Sequence, residues 1–375
     1  MKKQNKNLLP GVILFLGGDV MTGRGIDQIL PHSVDTKLYE SFVKDAREYV
    51  YLAEKENGHI EQPVNYKYIW GDAINVWQQK KTGLKIINLE TAITNHHIPF
   101  AGKGIHYRMH PKNIKILTTA GINVCSLANN HILDWGKEGL IETIKTLKQH
   151  NIAYTGAEKN AQQATEPVSL EIDNTRIAIL GVGAISSGIP ESWEATSKKT
   201  GVNLITKLNT NSIYEIEKQL QAHDSQDIII LSIHWGGNWG YDIPDQHQQF
   251  AHRLIDSVGA DIVYGHSSHH PKGIEVYKDR PIIYGAGDFI NDYEGIGGYK
   301  KYRGDLTLMY FPTINPTTGK LISLELFPMK IKNFSLHHAS ESDAEWLFNM
   351  LNREGLKLNT SVMRTQNHSF KLYWK

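Results

Sequence analysis

The sequence predicts an α/β (α+β) fold in which mixed β-sheets, two of them packed together, are flanked by helices. Two observations lead there. Apolar runs of strand length alternate with stretches of helical length, as in Lys85–Leu89, Pro111–Ala120, Asn123–Leu127 and Gly136–His150, the order of strand–helix units in layered α/β folds. Hairpin signals are mixed in: Pro167–Ile172 and Thr175–Gly181 flank a turn at Asp173–Asn174, and residues 274–277 and 281–284 form a second pair. Those hairpins favour a mixed sheet over a purely parallel one.

Taken along the chain, Val12–Leu16 is continuously apolar and ends in Gly-Gly-Asp, as a strand buried on both faces does where its backbone must turn tightly beneath a ligand. Residues 32–82 are more polar. Helices are expected around Lys37–Lys55 and Gly71–Lys81, with the loop GHIEQPVNYKYIW between them, so this region reads as an insertion bordering the site. The strand Lys85–Leu89 runs into Glu90, and Asn123–Leu127 runs into Asn129-Asn130-His131. In Gly136–His150, Ile141, Ile144 and Leu147 recur at helical spacing. Leu204–Ala222 and Pro244–Val258 are expected helices, and Asp227–Ile233 and Ile262–Tyr264 expected strands leading into His234 and Gly265-His266. The loop GAGDF, strands Asp305–Pro312 and Lys320–Lys330, and a helix Asp343–Arg353 complete the expectation. The domain is placed over residues 11–330, with 331–375 as a C-terminal extension packed on it.

The chain has 375 residues, a formal net charge of +1 and no long Lys/Arg block, so it carries no electrostatic footprint for a nucleic-acid groove. The single cysteine, Cys125, rules out an internal disulfide framework and reads as a small buried hydrophobe. The N-terminal apolar run is too short to span a bilayer and leads directly into Asp19, so it reads as a core strand, with the cytoplasm as the default location.

Five strand-like runs end in residues able to hold a metal: GGD at 17–19, NLE at 88–90, NNH at 129–131, IHWG at 233–236 and GHSSH at 265–269. In α/β architectures the carboxyl ends of strands converge on one crevice. One such ending means little, whereas five point to a centre built from Asp19, Glu90, Asn130, His234, His266 and His269. Six oxygen and nitrogen donors exceed what one tetrahedral ion takes and suit two divalent ions, with manganese, zinc, iron and magnesium all compatible. His131, three residues before Asp134, is a candidate proton donor with the carboxylate orienting its other nitrogen. Arg24, His106 and Arg108 are candidate clamps for an anionic group, Arg24 also being placed to assist catalysis. Trp235 and Trp239 either wall a pocket or pack.

With these residues in view, the chain resembles the poly-gamma-glutamate capsule biosynthesis (CapA-like) family, a branch of the calcineurin-like metallophosphoesterases. The resemblance covers residues 11–310 and rests on GGDVMTGRG, INLETAIT, SLANNHILDWGKEG, IHWGG, GADIVYGHSSHHPKGIE and IIYGAGDF, in that order. It implies a four-layer αββα sandwich with a dinuclear metal centre at the sheet ends. Asp19 matches the family's first aspartate, Glu90 its bridging carboxylate, Asn130 and His131 its Asn-His pair, and His234, His266 and His269 its later metal histidines. Three departures stand out. Met21 occupies the place of a histidine found in the broader superfamily, glutamate replaces aspartate at 90, and GlyAsnTrpGlyTyr follows HisTrpGly where many members have Glu-Tyr. The resemblance implies a phosphoester hydrolase, with an amide (glutamyl-bond) hydrolase or a non-catalytic component of capsule-polymer synthesis as alternatives. The expected partner is a small anionic substrate or a glutamate-containing polymer.

Overall fold

The computed structural model describes residues 11–221 and 228–375. Among them, two mixed sheets of ten and seven strands dominate, with two small two-stranded ladders beside them. The larger sheet runs in the order Thr360–Arg364, Phe370–Trp374, Leu321–Lys332, Leu306–Ile314, Val12–Val20, Leu84–Leu89, Val124–Ser126, Ala153–Thr155. The smaller runs Leu204–Ile205, Thr175–Ala184, Ile228–His234, Ile262–His266, Arg280–Ile283, Ile274–Tyr277. The expected α/β class and mixed sheets flanked by helices are thus observed.

Side-chain alternation explains how the sheets pack. Along the first strand Leu14 and Leu16 enter a core shared with Ile177, Ile179, Ile228, Ile230 and Ile262 of the other sheet. Phe15 faces the opposite way, into a cluster with the helical residues Ile26, Ile116, Leu117, Leu140 and Leu147. In the second sheet Leu180, Val182, Leu231 and Ile233 face Ile216, Phe250 and Leu254 of its own helices. A period of two delivers one face to the partner sheet and the other to helices.

Differences from expectation have local causes. The helix expected from Lys37 starts only at Arg47 and ends at Asn57. Before it, Asp45 accepts from the Arg47 backbone and pairs with its guanidinium, while Leu38 N donates to Lys44 O and Ala46 N to Thr36 O, closing a loop. In the expected helix Leu204–Ala222, Leu204–Ile205 instead pairs as a strand with Gly183–Ala184, and Thr210–Gln221 is helical after Asn209, whose side chain accepts from Ser212 N. Ala222 and Asp227, the ends of two expected elements, lie outside the described residues.

The last helix, Glu341–Gly355, is capped by Ser340, whose Oγ lies 3.2 Å from the Asp343 N–H it accepts. Ser340→Ala is expected to cost about 1 kcal/mol, read as a lower urea midpoint at unchanged slope.

The topology also aligns the site. Val12–Val20 lies parallel to both Leu84–Leu89 and Asp288–Ile290, with Asp19 in register with Asn88 on one side and Asp288 on the other. In the second sheet His234 and His266 are register partners on parallel strands. At the first junction the backbones nearly touch: a Cβ on Gly18 would sit 1.7 Å from the Gly287 carbonyl oxygen, so only glycine fits.

Candidate metal centre

Parallel pairing puts polar strand ends side by side, and burial determines their state. One ligand atom each from Asp19, His234 and His266 lies within 4.8 Å of the other two, and all three residues are buried. His234 Nδ1 is 2.8 Å from His266 Nδ1, and the latter is 3.8 Å from Asp19 Oδ1. Asn88 Nδ2 donates to Asp19 Oδ1 at 2.8 Å, and the Ser267 backbone N–H donates to Asp19 Oδ2 at 3.1 Å, fixing the carboxylate. On the far side of His266, Nε2 meets Ser232 Oγ at 2.8 Å.

Electrostatics argue for a cation. Burial, with Asp288 beside it, pushes the Asp19 carboxyl up to about 7. Burial and the charges of Asp19 and Asp288 hold Glu90 well above the usual carboxylate range. Burial takes His266 down to about 3, and burial with His266 takes His234 well below its ordinary value. Burial raises these carboxyls and lowers these imidazoles, so an ionised carboxylate here is costly without a cation beside it, a charge that a divalent ion bound between the donors would supply. One carboxylate oxygen and two imidazole nitrogens suit a borderline metal such as zinc, manganese or iron. The triad therefore fits a metal ion.

The other expected donors surround it. Glu90 Oε2 accepts from Asn88 Nδ2 at 3.3 Å, and its Oε1 lies 3.7 Å from His131 Nε2. Asn130 Oδ1 is 3.1 Å from His234 Nε2. His269 stands to one side: Nδ1 is 2.9 Å from Asp288 Oδ1 and Nε2 is 3.0 Å from Asn238 Nδ2.

His131 is built as the sequence suggests. Its Nδ1 lies 2.7 Å from Asp134 Oδ2, and Asp134 also accepts from the Tyr107 backbone at 2.7 Å and from Lys103. The Tyr107 ring sits 4.2 Å from the imidazole, and burial pushes His131 down to about 4, so the ring rests neutral with its proton toward Asp134. Asp134 stays below the ordinary range despite burial, because His131 and Lys103 face it.

The expected anion-binding residues are engaged with the chain itself. The buried Arg24 guanidinium pairs with Asp292 and with Glu40, the latter at 2.9 Å. Arg108 lies 3.9 Å over the Trp135 ring and donates to His96 O at 2.7 Å. His106 Nε2 is 3.0 Å from Phe100 O. Trp235 is buried, stacked 4.8 Å from His247, its Nε1 donating to Tyr284 O at 3.0 Å. Trp239 instead stacks on Tyr299, with ring centroids 4.4 Å apart, and lies 5.3 Å from the His269 ring.

Three residues of the site were not anticipated. Asn88 precedes Glu90 by two, the spacing that puts both on one face of a strand. Asp288 ends GAGD much as Asp19 ends GGD, a parallel the sequence displays. Lys103, between two glycines in GKGIHYRMHP, brings its ammonium to the Asn130 carbonyl and to 3.1 Å from His131 Nδ1.

Known proteins resemble this chain over most of its length. The profile described as "Bacterial capsule synthesis protein PGA_cap" matches residues 13–293. A "Probable polyglutamine synthesis accessory protein" of Mycobacterium tuberculosis is 44% identical over 355 residues, covering 94% of this chain and 93% of the relative. "Capsule biosynthesis protein CapA" of Bacillus anthracis is 24% identical over 322 residues, 85% of this chain and 67% of that one. "PGA biosynthesis protein CapA" of Bacillus subtilis is 24% identical over 307 residues, 80% and 67% respectively. Among the described residues no helix is long and apolar enough to cross a membrane.

Proposed function

The chain belongs to the bacterial capsule synthesis protein (PGA_cap) family, and from that premise we propose that it is a metal-dependent hydrolase acting on a phosphate ester. The observation that carries this reading is the convergence of a buried Asp19/His234/His266 triad with an oriented His131–Asp134 pair in one cluster. The shared core between the sheets, with helices on both outer faces, supports the four-layer αββα arrangement of the metallophosphoesterases. Glu90 and Asn130 complete a first coordination set, and His269 belongs to a second position. Bound in the cluster, divalent ions supply Lewis acidity, lowering the pKa of a coordinated water and neutralising phosphoryl oxygens.

The chain's own residues have separable tasks. Asp134 holds the His131 Nδ1 proton and fixes the ring, leaving the unprotonated Nε2 toward Glu90 and the cluster, where it would take a proton from the attacking water and pass it to the leaving oxygen. Lys103 keeps Asp134 ionised. Asn88 and the Ser267 backbone hold Asp19 in place.

A test is turnover of an aryl phosphate by manganese-loaded protein, parent against His131→Gln, with a γ-glutamyl amide assayed in parallel. The expected result is phosphatase turnover that falls by about 10²–10⁴-fold in the variant while its metal content is unchanged. Amide cleavage without phosphatase activity would transfer the same metals to a glutamyl bond. No turnover on either substrate at full metal loading would favour a non-catalytic component of polymer synthesis, the role suggested by the relatives' names.

A further inference from the structure

We infer that Ser232 is a positioning residue of the metal centre: its hydroxyl holds the far nitrogen of His266, so that the opposite nitrogen presents a lone pair to the ion. The inference rests on the metal-binding reading above and adds the group that selects which ring nitrogen the ion meets.

Ser232 stands out in its strand. Ile228–His234 reads IIILSIH, and the serine is fully buried in a run otherwise made of isoleucine and leucine. Burying a hydroxyl without a partner is costly, so a serine in such a strand needs a polar neighbour. Strand pairing supplies one. Leu231 and Ile233 face the helices on the outside of this sheet, which leaves Ile230, Ser232 and His234 on the side of the other sheet. Their register partners on the next strand are Ile262, Tyr264 and His266 in the same order. The space between the sheets thus passes from an apolar layer, through a layer with two hydroxyls, to the paired histidines.

Hydrogen bonding then sets the ring. His266 is fully buried, with Nε2 2.8 Å from Ser232 Oγ. Its Nδ1 lies 2.8 Å from His234 Nδ1 and 3.8 Å from Asp19 Oδ1, so Nδ1 is the nitrogen that faces the triad. A neutral imidazole carries one proton, and a nitrogen that ligates an ion leaves that proton on the other. With an ion at Nδ1, Nε2–H must donate, and Ser232 Oγ is placed to accept. A hydroxyl both donates and accepts, so it satisfies the buried Nε2 in either tautomer. The Tyr264 ring packs edge-on against the imidazole, with centroids 5.2 Å apart. Packing therefore holds the ring plane while the serine selects the nitrogen. Asp19 is held in a comparable way by Asn88 and the Ser267 N–H.

Alanine at 232 removes the acceptor. Nε2–H would then be buried with nothing to receive it, a state that costs its full desolvation. The ring avoids this by moving its proton to Nδ1, where the hydrogen points into the triad and opposes the ion. Losing the outer partner of a ligating histidine costs about 10–100-fold in metal affinity.

The experiment is calorimetric titration of Mn²⁺ into chelator-stripped full-length protein, comparing the parent with Ser232→Ala and Ser232→Cys. Urea unfolding of the chelated proteins is measured alongside. Cysteine fills the serine's place, but its sulfur is a weak acceptor, so it separates the hydrogen bond from packing. The expected result is a Kd raised about 10–100-fold in both variants, each of which still unfolds cooperatively. A Kd in Ser232→Ala equal to the parent's overturns the inference. So does a loss in Ser232→Ala that Ser232→Cys restores in full, because packing alone would then explain it. A lowered urea midpoint with an unchanged Kd makes the serine structural and overturns it too. A parent with no tight Mn²⁺ equivalent overturns the metal reading itself, whereas a tight parent with unresponsive variants overturns the role of Ser232 alone.

Discussion

Asp19→Asn is expected to weaken binding of the first ion by more than about 100-fold while leaving the metal-free protein as stable as the parent, or more stable. The two halves of this expectation have opposite signs because the carboxylate has opposite effects with and without an ion. With an ion, Asp19 is the only charged donor of the triad, and loss of a ligand exceeds the 10–100-fold usual for a supporting residue. Without one, Asp19 is a fully buried acid whose burial, with Asp288 adjacent, raises its pKa to about 7. A carboxyl whose folded pKa lies above its unfolded value contributes fully below the unfolded pKa, near 4, and that contribution is lost as pH rises through about 7. Chelated parent protein should therefore lose stability across that window, and the asparagine variant should lose less. Adding Mn²⁺ at 100 times the parent Kd should stabilise the parent by about 2.7 kcal/mol and the variant hardly at all. Thermal unfolding at pH 5 and pH 8, with chelator and with metal, reads all four quantities. An equal metal-induced rise in Tm for parent and variant would remove Asp19 from the centre.

The centre was legible in sequence where a strand's apolar pattern stops at a polar residue. Asp19, Glu90, His234 and His266 each follow such a run, and parallel pairing brings these ends together. What stayed hidden depends on pairing at long range. Asp288 sits on a strand of only three residues, too short to show a period, and reaches the site because that strand pairs with the first one from far along the chain. The role of Arg24 was obscured similarly. Its position just after Asp19 suggests a free cation, but the carboxylate that occupies it, Asp292, lies 268 residues away. Asn238 was visible only as a departure from a family pattern, and its contact with His269 is a property of the folded loop. In the polar stretch 37–46, side chains that bond back to the backbone displaced the expected helix.

Arg24→Met should destabilise the protein by about 3–5 kcal/mol, the cost of removing one partner from a buried ion pair. The guanidinium donates to Asp292 through Nε at 3.2 Å and also through Nη2, and to Glu40 and Tyr49 through Nη1 at 2.9 Å each. It lies 4.0 Å from the Tyr49 ring centroid and 4.6 Å from that of Tyr107. Its backbone is held at φ 45°, a left-handed conformation costing about 1–2 kcal/mol for a side chain of this kind, so the surrounding contacts must outweigh that strain. Methionine fills similar volume but leaves two buried carboxylates unpaired. Burial already raises Asp292, with Arg24 opposing it. Without the arginine its folded pKa rises further above the unfolded value, so the variant's deficit should widen as pH rises from 5 to 8 and narrow as the acid takes up a proton. Adding Asp292→Asn to Arg24→Met should recover part of the loss, giving a coupling energy in the double-mutant cycle. The consequence for the site follows from the rings around the pair. Tyr107 packs on His131, Tyr293 lies 5.3 Å from His269, and the two phenols are 2.8 Å apart. Loosening Arg24 should therefore disturb both histidines at once and weaken metal binding as well as stability. A urea-unfolding deficit below 1 kcal/mol, unchanged from pH 5 to pH 8, would mean that solvent reaches these carboxylates and that the cluster does not brace the centre.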